Sequence, residues 1–369
     1  MRVDALTLDH FRNYAHAECA FDARMNVICG ENAQGKTNLL EAVAFLSTAA
    51  SHRAHSDKEL ISFGEEHAFL TGRVFSRERD FTLEVSLHQH ARRQLKRNGV
   101  KLKKAGELGE VLNTVLFCPE DLQLIRAGAA ERRRFLDDTI SQLRPRYAEA
   151  LAGYKKALEA KNFILRNQEE RPDLLATLDD FSAQLCRYGA AIVRYRAYFV
   201  RKLEEFTPAI HGEFSGGREV LSLRYVTEPG VEGLATEAEI CAALLSRYES
   251  HKSAEKAAKK CLTGPHRDDL EVNIDGRSAR QFASQGQTRT AALSLKLAQR
   301  DIMRDDRGEY PVLLLDDVLS ELDARRQEFV LNHIQGGQVF LTCCEEERLG
   351  ALEGGKVFRV SGGCVTEEA

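Results

Sequence analysis

Over the first hundred positions, apolar and polar residues alternate in short runs, and this period of two predicts strands at 3–8, 17–21, 69–75 and 81–87. Residues 25–29 read as a short buried strand, and the stretch from Asn38 to Val43 as a helix after it. From about 131 to 209 the pattern becomes helical, broken at Arg171-Pro172. Its second half carries Leu174, Leu178, Phe181, Leu185, Tyr188, Ile192, Tyr195, Phe199, Leu203 and Phe206. Those steps alternate four and three until one extra four, an a/d seam held over more than four heptads. Pro172 near its start and Pro208 near its end stand where helix punctuation belongs. The first half offers Leu151, Tyr154, Leu158 and Leu165 as a facing stripe, with polar 167–170 as a tip. The segment therefore reads as an antiparallel helical hairpin, a stubby arm inserted into a larger domain; a plain four-helix core is the alternative. Residues 220–226 then read as a strand and 236–261 as an Ala/Glu/Lys-rich helix. At 310–317 an apolar strand ends in Asp316 and Asp317.

A chain of 369 residues is long enough for two domains, or for one with a large insertion. Hydrophobic residues at 43% and charged ones at 29% are ordinary for a soluble globular protein. No apolar run has the length a bilayer demands, so no membrane partner is expected. The N-terminus lacks a signal-peptide core, which argues against export. The nine cysteines are scattered, with no Cys-x-x-Cys pair. They suit reduced thiols in the cytoplasm better than a disulfide framework or a zinc site. A net charge of −4 gives no hint of nucleic acid, but local charge does. Residues 92–104 carry seven positive charges and no negative one around Asn98-Gly99, a hairpin signal. This basic ribbon reads either as a phosphate tracker or as a solvated surface hairpin.

Candidate chemistry starts at Gly30-Glu31-Asn32-Ala33-Gln34-Gly35-Lys36-Thr37, a Gly-x-x-x-x-Gly-Lys-Thr phosphate cradle between predicted strand and helix. Gly30 and Gly35 let backbone N–H groups converge on phosphate oxygens, at the positive end of the following helix. Lys36 is placed to reach the β- and γ-phosphates of ATP, and the Thr37 hydroxyl to ligate Mg²⁺. In phosphate-loop NTPases the acidic strand lies beside the one feeding the cradle. Asp316 would then hold Mg²⁺ through water, and Asp317 polarise the attacking water. Ser284-Gln285-Gly286-Gln287 precedes another helical run, and Ser320-Glu321-Leu322-Asp323 follows the carboxylates. Alone, the Ser-x-Gly-Gln turn reads as a helix cap or as an anion site. In the order cradle, Ser-x-Gly-Gln, Asp-Asp, Ser-x-Leu-Asp, it matches the ABC-type ATPase heads.

Further segments carry a closer resemblance. Phe11-Arg12-Asn13-Tyr14, Ser51-His52-Arg53, Phe117-Cys118-Pro119-Glu120-Asp121-Leu122, Arg132-Arg133-Arg134-Phe135-Leu136-Asp137, Gly264-Pro265-His266-Arg267-Asp268-Asp269-Leu270 and Gln338-Val339-Phe340-Leu341-Thr342 run nearly end to end. With the cradle and the two acids, they resemble the RecF family of bacterial recombination mediators, relatives of the SMC heads.

The resemblance implies an α/β fold, an ABC/SMC-type phosphate-loop ATPase head with an inserted helical arm. The head would occupy 1–125 and 260–369 and the arm 126–259. It implies that two protomers pair head to tail when ATP binds, each cradle meeting the partner's Ser284, Gly286 and Gln287. Arg12 resembles the nucleotide-side arginine of related heads, with a surface arginine at a strand-to-loop transition as the equal alternative, and Thr342 occupies the switch position. Residues 119–121 fall at the Q-loop but lack its glutamine. Slow, DNA-stimulated hydrolysis would reset a clamp on duplex or gapped DNA, gripped without regard to sequence near single-strand/duplex junctions. RecR and RecO would be partners in loading RecA. His266 and Arg267 read either as structural or as lying near nucleotide or DNA. Arg132, Arg133 and Arg134 read as phosphate contacts or, slightly better, as a solvated helix face. An SMC-like or ABC-type regulator acting on a protein is the runner-up, and a small-molecule kinase a third reading.

Overall fold

The computed structural model describes residues 1–318, 322–334, 336–344 and 355–368. In chain order the strands are β1 Arg2–Phe11, β2 Tyr14–Ala20, β3 Met25–Cys29, β4 His67–Ser76, β5 Arg79–His88, β6 Gln94–Arg97, β7 Val100–Lys101, β8 Thr114–Phe117, β9 Leu221–Val226, β10 Asp269–Ile274, β11 Arg277–Ser278, β12 Val312–Leu315, β13 Val339–Cys343, β14 Lys356–Ser361 and β15 Cys364–Glu368. The helices are α1 Lys36–Thr48, α2 Gln123–Arg126, α3 Ala129–Leu143, α4 Pro145–Arg166, α5 Leu178–Ser215, α6 Glu237–Ala258, α7 Ala279–Phe282, α8 Gln285–Arg307 and α9 Ala324–His333. They divide between two compact units: Met1–Asp121 with Leu295–Ala369, and Leu122–Ser294.

The first unit holds two sheets. One runs β2-β1-β4-β5-β6-β7 and is antiparallel; the other runs β15-β14-β3-β13-β12-β8. Strands β14, β3, β13, β12 and β8 are parallel and β12 is buried throughout, the near-continuous apolar pattern that sheets covered on both faces require. The apolar face of the antiparallel sheet and helix α1 share one core, containing Leu70, Val74, Leu83, Leu39, Val43 and Phe45. Gln338 is buried and satisfied: its amide nitrogen donates to the Val3 and Asp22 carbonyls, and its oxygen accepts from the Val3 N–H.

One sequence expectation fails here. The acidic strand β12 does not lie beside β3; β13 stands between them, pairing β3 on one side and β12 on the other. Short apolar strands carry no record of their order, because any of them satisfies a buried position equally well. The Asn98-Gly99 turn does close a hairpin, with φ of 52° and 76° and Arg97 facing Val100.

In the second unit α5 packs against both α4 and α6, beside the small sheet β11-β10-β9. The expected two-helix hairpin is therefore part of a three-helix array. The seam residues Leu178, Leu185, Ile192, Phe199 and Leu203 are buried, but so is a second stripe of Cys186, Ala190, Val193 and Val200. A helix with two helical neighbours needs that wider stripe. A break unread in the sequence falls at Arg144, where α3 ends and Pro145 opens α4. Pro208 does not punctuate; α5 runs past it to Ser215 and ends at left-handed Gly216. The return of the chain to the first unit comes at 295, inside α8, and not at 260, because β9–β11 and the start of α8 group with the helices.

Candidate nucleotide-binding site

The cradle is built by strand, loop and helix as the motif demands. β3 ends at Cys29, and α1 starts at Lys36 with Gly35 as its cap residue. No side chain caps this helix and no acid lies in its first turn, so the N–H groups there are left for an external anion. Both glycines are required by geometry. Gly35 has φ 123°, and a Cβ there would lie 2.6 Å from the Asn13 side chain; at Gly30, φ 151°, it would collide with the Val360 carbonyl. Glu31, Asn32 and Ala33 form the exposed crest, with Ala33 in left-handed backbone. Lys36 Nζ donates to the Gly30 carbonyl and, at 2.9 Å, to the Glu31 carbonyl.

A brace that pattern reading did not assign holds this loop from outside. Asn13 Nδ2 donates to the Gln34 carbonyl at 2.7 Å, and the buried Tyr14 hydroxyl to the Gly35 carbonyl at 2.8 Å. Gly362 N–H donates to Gln34 Oε1 at 2.7 Å. Arg12 is committed nearby: its Nε and Nη2 fork onto Glu41 of α1, both at 2.8 Å, and Nη1 donates to the Glu59 carbonyl. Burial pushes the Glu41 carboxyl up, but Arg12 and the Ser51 hydroxyl together hold it below the usual carboxylate range. Arg12 thus fastens the cradle helix.

The acidic end of β12 converges on the same loop. Thr37 Oγ1 and Thr342 Oγ1 both donate to Asp316 Oδ1, at 3.0 and 2.9 Å. Burial raises the Asp316 carboxyl, against the pull of these two hydroxyls and of nearby His52 and Arg53. Asp317 leaves the strand in left-handed backbone, φ 51°, and its N–H donates to Thr342 Oγ1 at 2.8 Å. Such a backbone is uncommon outside glycine, asparagine and aspartate, and is frequent at functional turns. Thr342 is therefore the pivot of the acidic corner; Arg53 adds positive charge to it, whereas burial lowers the His52 pKa and favours its neutral imidazole. Their segment carried resemblance in the sequence but no pattern that assigned a role. Cys344 Sγ lies 3.6 Å from Lys36 Nζ and 3.1 Å from Asn32 Oδ1, so this corner also borders the cradle.

At the Q-loop position Asp121 accepts from its own Cys118 N–H at 2.9 Å and pairs with Lys296 at 2.7 Å. Ser320 and Glu321 of the Ser-x-Leu-Asp segment lie outside the described residues; Asp323 caps α9 by accepting from the Arg326 N–H. Among the described residues no cluster of three or more His, Cys, Asp or Glu could hold a metal by itself.

The Ser-x-Gly-Gln turn belongs to the second unit. Ser284 is exposed, and its hydroxyl accepts from the Gln287 N–H at 3.2 Å while Gln287 Oε1 accepts from the Ser284 N–H at 2.9 Å. This reciprocal cap leaves the N–H groups of Gln285 and Gly286 without helical acceptors. Gln287 Nε2 is spent on Glu219 at 3.1 Å.

In the two basic segments, Arg132, Arg133 and His266 are engaged in contacts within the fold. Arg132 is buried, its guanidinium forked onto Asp269 at 2.7 and 2.8 Å, so it is neither a phosphate contact nor a solvated face. Arg133 donates to the Asp268 carbonyl and only Arg134 is exposed. His266 Nδ1 lies 2.7 Å from the Tyr154 hydroxyl, and burial lowers its pKa to about 4. A histidine kept neutral on folding binds fewer protons than the unfolded chain, so its cost is absent above pH 6.5 and grows as pH falls toward 4. The shift corresponds to about 3 kcal/mol. Urea unfolding at pH 7 and pH 5 is expected to show a smaller acid-induced loss for His266→Asn; parallel losses would contradict it.

A profile of the RecF/RecN/SMC N-terminal domain matches residues 2–206. The "DNA replication and repair protein RecF" of Agathobacter rectalis is 40% identical over 369 residues, 99% of each chain, and that of Bacillus subtilis 39% over 371 residues, all of both. The chain belongs to the RecF family. As a RecF-family member it is a DNA replication and repair protein with an α/β head fold. A solved structure of the recombination mediator protein RecF-ATPrS in the RecFOR pathway superposes with TM-score 0.92 at 35% identity, covering 100% of this chain and 98% of that one. The Smc head domain from Pyrococcus furiosus, at 15% identity and TM-score 0.55, shares the fold. No helix among the described residues is long and apolar enough to cross a membrane.

Proposed function

We propose that the chain is an ATP-driven DNA clamp: a weak ATPase whose two copies pair head to tail around nucleotide and grip duplex or gapped DNA. The observation that carries this reading is the double donation of Thr37 and Thr342 onto Asp316 beside an uncapped helix. In it, Lys36 and the open N–H groups of α1 bind the phosphates, Thr37 and Asp316 supply hard oxygen ligands that suit Mg²⁺, and Asp317 orients water. Mg²⁺, when bound, draws charge off the phosphate oxygens. That a similar protein is described as RecF-ATP supports the nucleotide.

The exposed Ser284 cap, with two N–H groups unspent, supports a role as the partner's half of the site. A helix N-terminus facing the γ-phosphate binds ATP better than ADP, so hydrolysis releases the pair. Grip on phosphates by lysine and arginine makes DNA binding salt-sensitive and indifferent to sequence. Handover with RecR and RecO to load RecA is the role that family membership favours.

Ser284→Arg is expected to bind ATP normally yet stay monomeric in sedimentation with a non-hydrolysable analogue, because a bulky cation would meet the partner's cradle. Normal pairing of that variant would refute the composite site. Filter binding of duplex DNA with and without ATP tests the clamp: equal retention in both would count against it.

A further inference from the structure

The outer face of the six-stranded antiparallel sheet has a charge gradient. One row of paired residues crosses all six strands: Glu18, Thr7, Thr71, Glu84, Lys96 and Lys101. Acid stands at the β2 edge and base at the β7 edge. Arg73, two residues from Thr71 and exposed, shares this face. Along the edge, Lys101 and Lys103 project to solvent on either side of buried Leu102, and Arg92 is exposed where the ribbon begins. Neighbouring acids already neutralise part of the ribbon: Arg93 pairs with Asp57, Lys96 with Glu84 and Arg97 with Glu110. No ion pair among the described residues engages Arg92, Lys101 or Lys103. The cations left over therefore lie along one margin of one face, Lys101 near the Asn98-Gly99 turn and Lys103 and Arg92 toward the other end of the ribbon.

We infer that this edge, Lys101 and Lys103 with Arg92, is a contact surface for the phosphate backbone of duplex DNA, extended by Arg73 three strands inward on the same face. The inference rests on the proposed DNA-clamp function and gives it a location. Lys101 closes β7 and Lys103 follows two residues later with Leu102 buried between them, a separation of at most about 7 Å that suits neighbouring phosphates of one strand. The neutral Thr71, Thr82 and Gln94 beside them add hydrogen-bonding capacity and no base-reading pattern.

Lysines on a short edge strand also protect a sheet from pairing with another chain. Charge of either sign serves that purpose, so charge reversal separates the two roles. Lys101→Glu with Lys103→Glu should leave ATP-analogue binding and the melting temperature unchanged. Duplex affinity should fall roughly ten- to a hundred-fold near 0.1 M salt, and the slope of log K against log salt should become shallower by about two. Fluorescence anisotropy on a fluorescein-labelled duplex across a salt series, with analogue present, reads both. Wild-type slope and affinity in the double variant would remove this surface and leave the clamp standing. A wild-type chain that binds no duplex would remove both.

Discussion

Lys36→Ala is expected to weaken ATP binding roughly ten- to a hundred-fold, the equivalent of losing one or two charge-assisted hydrogen bonds to phosphate. ATP-dependent pairing should vanish with it. The lysine is mostly buried, and its ammonium is held by the carbonyls of Gly30 and Glu31. Its removal therefore takes away a phosphate ligand and a clasp across the loop. The loop keeps its other anchors, Asn13 on Gln34 and Tyr14 on Gly35, so the head should remain folded. Isothermal titration with ATP, alongside far-ultraviolet circular dichroism, separates these effects. Unchanged affinity in a folded variant would mean that the nucleotide, if any, sits elsewhere.

Arg196→Ala should cost the second unit about 3–5 kcal/mol, since it strips the partner from buried charge. Arg196 in α5 donates to Asp137 at 2.8 Å, to Asp268 at 3.1 Å and to the Pro265 carbonyl at 2.7 Å, with its own side chain 3% exposed and that of Asp268 1%. Burial already raises the Asp268 carboxyl against the pull of Arg196. Without the guanidinium that carboxyl rises further, so the deficit of the variant should shrink as pH falls and Asp268 takes up a proton. Arg196→Lys should recover only part of the loss, because an ammonium cannot span Asp137, Asp268 and a carbonyl at once. Guanidinium chloride unfolding at two pH values gives the numbers. A cost under about 1 kcal/mol would show that the network relaxes or admits water.

Legibility in the sequence followed the range of the interaction. The cradle, the Asn98-Gly99 turn and the Ser284 cap are local: a few adjacent residues set φ, leave N–H groups open and specify a helix start. They could be read from residue types alone. The seam of α5 was legible for the same reason, as periodicity on one element, whereas its second buried stripe depended on α6, a separate helix further along the chain. Arg132 shows the limit most plainly. Beside Arg133 and Arg134 it reads as part of a basic run, yet Asp269, 137 positions away, turns it into a buried ion pair. The roles of Asn13, Tyr14 and Glu41 were likewise invisible, because a side chain that braces a distant loop leaves no period and no motif.

By itself the sequence determined the chemistry available to this RecF-family chain: a phosphate loop, a pair of acids after an apolar strand, a capped Ser-x-Gly-Gln turn and a basic ribbon. Tertiary structure alone decided how those pieces are served. It set β13 between β3 and β12, so that Thr342 at its end could hold Asp316 against Thr37. It fastened Arg12 to Glu41 and drew the residual positive charge to one sheet edge. The physical reason is that local backbone preference is encoded residue by residue, whereas strand order and charge pairing arise from contacts between residues far apart in the chain.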